Sequence, residues 1–156
     1  SVLRAAAAHE GTALIEIYQN CDIFNDGAFE PMKNADLRDD VTIRLEHGQK
    51  IIFGANQDRC VVRDSAGQLI VAKVADVSDS QIVVHDAHNQ DPSYAFGLTR
   101  LSHPETLQDT PIGVFRSIER PSYDRLMREQ LDQVIEKDGP GDLAKLLLGK
   151  ETWEVN

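Results

Sequence analysis

Apolar positions first cluster in the Ala-rich run of residues 3–9, whose composition strongly favours helix, and Gly11 follows as a C-cap. Residues 12–18, Thr-Ala-Leu-Ile-Glu-Ile-Tyr, are then almost continuously apolar over one strand length. That pattern predicts a strand buried on both faces, as in a parallel sheet covered by helices. Helix, glycine and strand in succession make half of an α/β layer. Periodicity is lost over residues 19–40, which gather Asn20, Asp22, Asn25, Asp26, Gly27, Pro31 and Asn34. A loop of this length within a compact domain is often functional. It also leaves the end of the expected strand, where open α/β sheets place ligands.

Short strands are predicted at 41–45 and 50–53, joined through His47-Gly48. Residues 60–63 and 69–74 flank Asp64-Ser65-Ala66-Gly67-Gln68, a hairpin signal in which Gly67 supplies positive φ. A further strand is expected at 81–85. Asp91-Pro92 suits a helix start, with Asp as N-cap and Pro at the first helical position, and Tyr94, Ala95, Leu98 and Leu101 continue it. Residues 111–115 read as extended. Pro121-Ser122 opens a stronger helix, in which Tyr123, Leu126, Met127, Leu131, Val134 and Ile135 form an apolar stripe that predicts packing. Gly139-Pro140-Gly141 ends it, and Asp142 caps a last short helix that runs to Leu148 and stops at Gly149. Together these elements predict an α/β protein, three-layered α/β/α, with an antiparallel hairpin addition and one domain over residues 1–156.

Composition changes this picture little. Apolar residues make up 41% and charged residues 27%, ordinary for a globular protein. No apolar run approaches the roughly 20 residues that span a bilayer. The Ala-rich start lacks both a clear basic segment and a long apolar core, so it reads as helix and not as a signal peptide. The formal charge of −10 argues against binding nucleic acid or an anionic membrane. Two cysteines, Cys21 and Cys60, do not make a disulfide framework, so a cytoplasmic location is expected. The chain has no initiator Met, so it is expected to begin inside a longer protein or after tag removal.

No G-x-x-x-x-G-K-[ST] loop, G-x-S-x-G elbow or C-x-x-C pair is present. His85 and His88, with Asp86 and Asp91, have a spacing that could bind a divalent metal; the plainer reading is polar residues between a strand and a helix. His9, His47 and His103 have no companion cluster in sequence and read as surface or helix-end residues. Asp64, Asp76, Asp79, Asp86 and Asp91 read as turn and cap residues ahead of an acid–base pair. Cys60 opens a hairpin strand and reads as structural. Cys21 ends the apolar run and opens the polar loop, a place for an aimed thiol beside a cofactor. From position alone, a buried structural cysteine is the stronger reading, and a single thiol needs partners to hold a cluster.

Residues 7–29 shift that balance. Their core, Tyr18-Gln19-Asn20-Cys21 with Ile23-Phe24-Asn25-Asp26, closely resembles the segment around the last cluster-ligating cysteine in the β subunits of 2-oxoacid:ferredoxin oxidoreductases. The Gln-Asn-Cys and Phe-Asn-Asp signatures resemble the 2-oxoglutarate branch; pyruvate branches more often carry Ser-Pro-Cys with a later His-Gly. The resemblance continues through Leu45-Glu46-His47-Gly48, Phe53-Gly54, His85-Asp86-Ala87-His88, Pro111-Ile112-Gly113-Val114-Phe115-Arg116 and Arg120-Pro121-Ser122-Tyr123, and so covers most of the chain.

The resemblance implies the C-terminal portion of a thiamine-diphosphate-binding β subunit. That subunit carries thiamine diphosphate, Mg²⁺ and one [4Fe–4S] cluster, and works with an α subunit. The implied reaction is oxidative decarboxylation of 2-oxoglutarate, with coenzyme A taking the acyl group and electrons passing singly to ferredoxin. Cys21 is, by resemblance, the cluster's fourth thiolate. The family's other cluster cysteines and its Gly-Asp-Gly thiamine and Mg²⁺ motif do not occur here, so no thiamine or Mg²⁺ ligand is carried over. The fragment alone is expected to hold neither cofactor, to be inactive and to self-associate through uncovered apolar surface. The alternatives are the same family acting on pyruvate or another 2-oxoacid, and a stand-alone non-catalytic α/β interaction module. Arg116, Arg120, Arg125 and Arg128 are the local basic residues available for an acidic ferredoxin, although a solvated helix face explains them more simply.

Overall fold

The computed structural model describes residues 1–150 and Trp153. The chain divides into two compact units: residues 1–9 with 13–119, and residues 10–12 with the residues from Arg120 on.

The first unit opens with helix α1 (Val2–Ala8), as its alanines predict. Two one-turn helices follow in the region read as loop, α2 (Glu30–Lys33) and α3 (Arg38–Val41). Strand β1 (Thr42–Leu45) pairs in parallel with β5 (Thr110–Gly113), Ile43 opposite Pro111 and Leu45 opposite Gly113. Strands β2 (Ile52–Phe53), β3 (Arg59–Arg63) and β4 (Leu69–Lys73) form an antiparallel sheet in that order. The α/β class and the antiparallel addition are therefore as expected.

The β3–β4 hairpin forms where its turn residues place it. Asp64 Oδ1 accepts from the N–H groups of Ala66 (2.9 Å) and Gln68 (2.8 Å), and Gly67 takes φ +80°, which L residues rarely adopt. β3 lies between two partners and is covered on both faces. Its alternation sends Val61 into one core and Cys60 and Val62 into another. The larger core joins Ile43, Leu45, Ile51, Phe53, Val61, Tyr94 and Leu98, so it welds the parallel pair, the antiparallel sheet and helix α4 (Pro92–Thr99) into one body. Helix α4 starts as predicted, with Asp91 accepting from Ser93 N–H at 2.9 Å.

The expectation differs from the structure at residues 12–18. They form no strand, and Leu14 and Ile17 are 96% and 69% exposed. Apolar, β-prone residues make a strand only where a neighbouring strand takes their backbone hydrogen bonds, and none does among the described residues. The three-layer arrangement expected around that strand is accordingly not built from it. Residues 81–85 pair irregularly. Ile51 N–H donates to Val83, Val83 N–H to Val61, and Val61 N–H to Ile51, at 2.8–3.0 Å, a closed ring of bonds in place of a regular ladder.

The second unit holds helix α5 (Tyr123–Asp138), ended by Gly139 at φ +81°, and helix α6 (Leu143–Leu148), capped by Asp142, which accepts from Lys145 N–H at 3.0 Å. The apolar stripe of α5 is present but lies exposed. No described helix is long and apolar enough to cross a membrane.

Candidate functional site

Cys21 sits in a tight loop built largely by its neighbour Asn20. Asn20 Oδ1 accepts from Gly27 N–H at 2.9 Å, and its Nδ2 donates to Asp22 Oδ1 at 2.7 Å and Asp26 Oδ1 at 3.0 Å. One side chain thus reaches across the whole turn. Inside the ring, Asn25 N–H donates to the Cys21 carbonyl at 2.8 Å. Gly27 turns the chain at φ +73°, and Tyr18 stacks on Phe29 with centroids 5.1 Å apart, closing the base of the loop.

The backbone N–H groups of Phe24 and Ile23 hold the Cys21 thiol below its ordinary pKa; burial opposes them, and Asn25 N–H adds to them. A thiol so placed favours its thiolate, the form that ligates metals. Ile23 and Phe24 stand out at the tip, 82% and 90% exposed. The loop therefore offers one thiolate donor inside an apolar rim, which suits one corner of an iron–sulfur cluster. Among the described residues no group of three or more His, Cys, Asp or Glu side chains can hold a metal ion, so any cluster on Cys21 takes its other ligands from elsewhere.

The His85–His88 segment does not form the metal pair that its spacing allows. His85 is 1% exposed and both ring nitrogens are occupied. Nε2–H donates to the Val114 carbonyl at 2.9 Å, and Nδ1 accepts from the Tyr94 hydroxyl at 3.0 Å. Burial pushes its pKa down, against the Val114 bond, which raises it. His85 is a satisfied core residue that ties the strand region to α4 and to the residues after β5. His88 Nδ1–H donates to the Ser117 carbonyl at 2.6 Å. His47, read as companionless, meets the His88 ring edge-on at 4.4 Å and accepts from Ala87 N–H at 3.2 Å. That contact crosses two loops and leaves no trace in local sequence.

Cys60 is fully buried, with Sγ 3.6 Å from the Ala72 carbonyl, and burial pushes its thiol up; it is structural, as read. Asp64 and Asp91 are turn and cap residues. Three of the four arginines singled out in the sequence are engaged within their own units. Arg125 pairs with Glu129 at 2.9 Å, Arg128 lies 4.0 Å from Asp124, and Arg116 bonds the Asn89 and Gln90 carbonyls.

Sequence reasoning missed the role of Asn20. The signal was available: an Asn at the head of a turn with two Asp residues and a Gly within reach.

The first unit is an α/β body that presents one thiol, held below its ordinary pKa, on a loop. The relative that matches specifies more. The chain is 47% identical over 157 aligned positions, 99% of its length, to a 2-oxoglutarate oxidoreductase subunit, KorB, of Mycobacterium tuberculosis. It is a relative of that oxidoreductase subunit and spans 41% of the subunit's length. No family model matches the chain, and no solved structure matches it significantly.

Proposed function

We propose that this chain is the C-terminal portion of the β subunit of a 2-oxoglutarate:ferredoxin oxidoreductase, and that Cys21 is a thiolate ligand of its [4Fe–4S] cluster. The observation that carries the reading is 47% identity along essentially the whole chain to a subunit of a 2-oxoglutarate oxidoreductase. The geometry supports it, because the thiol is in an exposed loop and its proton is already disfavoured by surrounding N–H groups.

In the assembled enzyme, thiamine diphosphate with Mg²⁺ would supply the carbanion chemistry of decarboxylation, and a cluster held in part by Cys21 would supply single-electron transfer toward ferredoxin. The residues of this chain contribute the setting. Cys21 would provide one thiolate, its pKa held below the ordinary value by the N–H groups of Phe24 and Ile23. Ile23 and Phe24 provide apolar surface that excludes water when the loop is covered, and so lower the dielectric around the charge being moved. The buried His85–Tyr94–Val114 link ties the strand region to α4 and to the residues after β5, and burial holds the His85 pKa below its ordinary value. The proposed partners are the α subunit and ferredoxin.

The test is substrate-dependent electron transfer by the full-length subunit assembled with its α subunit. Reduction of ferredoxin that requires both 2-oxoglutarate and coenzyme A supports the reading. Reduction with pyruvate in place of 2-oxoglutarate moves the enzyme to another branch of the family. Reduction with neither, in a thiamine- and cluster-loaded preparation, overturns the 2-oxoglutarate reading in favour of another 2-oxoacid, and a full-length subunit that takes up neither cofactor returns the chain to a non-catalytic module.

A further inference from the structure

The first unit holds an open hollow of ≈ 450 Å³ between the end of β3, residues 80–84 and the segment that leads into α4, and no residue of the Cys21 loop lines it. Small-ligand sites occupy roughly 300–1,000 Å³. Val84 and the Tyr94 ring give the hollow apolar lining, and Arg63, Gln81, Asn89 and Asp86 give it polar lining. Two of these side chains are anchored by their oxygens. Gln81 Oε1 accepts from the Ser78 N–H and hydroxyl, both at 2.8 Å, and Asn89 Oδ1 accepts from Asp91 N–H at 2.9 Å. Each amide is thereby fixed, while its NH₂ group donates to nothing on the hollow's wall. Arg63 donates from Nη1 to the Gly67 carbonyl at 2.9 Å and lies 5.7 Å from the Tyr94 ring centre; its other N–H groups have no acceptor among the described residues. Donors from three separate stretches of chain, one of them cationic, thus meet at one hollow and stay uncommitted.

We propose that this hollow binds a small organic carboxylate that carries a hydroxyl or ammonium group on a short carbon chain. Uncommitted N–H donors around a guanidinium match the lone pairs of a carboxylate, and charge-assisted bonds of this kind are the strong ones. Val84 and Tyr94 take the carbon chain. Asp86 decides the other end. Its Oδ1 accepts from His88 N–H at 3.0 Å, and a carboxylate has acceptor capacity left beyond that bond. A second anionic group would meet Asp86 and be repelled, whereas a hydroxyl or ammonium donates to it. A polyphosphate is disfavoured for the same reason. The site goes beyond the oxidoreductase reading and does not depend on it.

The experiment is calorimetric titration of the full-length subunit, with no 2-oxoacid or coenzyme A present, as wild type, Arg63→Gln and Val84→Phe. The probes are 3-hydroxybutyrate, butyrate and inorganic phosphate. Arg63 and Val84 are both exposed, so neither change unmakes a core. Wild type is expected to bind 3-hydroxybutyrate several-fold more tightly than butyrate, which lacks the donor for Asp86. Arg63→Gln, which keeps an amide donor and loses the charge, should weaken 3-hydroxybutyrate about tenfold or more. Val84→Phe fills the hollow with Arg63 in place and should weaken it as much. No saturable binding of 3-hydroxybutyrate to wild type, or equal binding in wild type and both variants, overturns the proposal. Butyrate bound as tightly as 3-hydroxybutyrate removes Asp86 from the site and overturns the proposal as stated. Phosphate bound through Arg63 while neither carboxylate binds makes this a phosphate site and likewise overturns it. Each of these outcomes leaves the Cys21 assignment as it was.

Discussion

Tyr94→Phe isolates one hydrogen bond in the larger core. Both partners are buried, Tyr94 and His85 at 6% and 1% exposure, and the bond joins helix α4 to the strand region at 3.0 Å. Phe keeps the ring and its packing against Val61 and Leu98, so almost no cavity opens. What is lost is the donor to His85 Nδ1, which cannot find water in its place. A buried acceptor left without a partner costs about 1–3 kcal/mol. That corresponds to roughly 5- to 150-fold more frequent opening of the unit. Amide hydrogen exchange at Val61 and Val83, whose N–H groups lie in the bonded ring, reads this opening directly. The companion variant His85→Phe also loses the Val114 bond, and the double variant leaves no orphaned nitrogen. It is expected to cost less than the sum of the two singles. Strict additivity, or exchange in Tyr94→Phe within about twofold of wild type, would refute the reasoning, because the His85–Tyr94 pair would then carry no coupled energy.

Three further outcomes follow from the same structure. Burial holds the His85 pKa below its ordinary value, so the unfolded chain binds a proton that the folded one refuses. Its contribution is complete above the unfolded pKa of about 6.5 and is lost as pH falls through the lower folded value; exchange protection measured across that range, after correction for intrinsic rates, should fall in wild type and stay flatter in His85→Phe. Gly113 sits at φ +134° where a Cβ would come 2.7 Å from the Leu45 carbonyl oxygen, so Gly113→Ala should destabilise the β1–β5 pair by roughly 1–3 kcal/mol or more in urea denaturation. Arg59 bridges Asp40 at 2.8 Å and Asp109 at 2.6 Å and lies over the Phe53 ring; burial raises the Asp109 pKa despite that guanidinium, so Arg59→Met, which removes the cation between these two carboxylates, should destabilise by about 1–3 kcal/mol near neutral pH and less when acid protonates Asp109.

What could be read from the chain was whatever its causes keep local. The Asp64–Gln68 turn, the Asp91-Pro92 helix start and the Asp142 cap are each decided within about five residues, and each lies where its residue types place it. The strand expected at residues 12–18 failed for the opposite reason. Its apolar residues describe a preference, but strand formation depends on a partner, and no described strand lies beside it. His85 and His88 show the same limit in the site. Their spacing suggested metal ligation, whereas their roles are fixed by Tyr94, Val114 and Ser117, which only the folded chain brings near. Cys21 was singled out by its place at the end of an apolar run and by family resemblance, and its loop supplies the N–H surroundings that a thiolate needs. The exposed stripe of α5 was visible as a pattern, but a pattern does not say what covers it.

The central claim is that Cys21 carries a cluster. Cys21 lies outside both hydrophobic cores, so Cys21→Ala removes the proposed ligand without unmaking the fold. Electron paramagnetic resonance of the reduced full-length subunit, wild type against Cys21→Ala, compares the two directly. The account predicts a [4Fe–4S] signal in the wild type that is lost or converted in the variant, with the circular dichroism unchanged. The same signal in both proteins would contradict it and leave Cys21 as an ordinary surface-loop thiol.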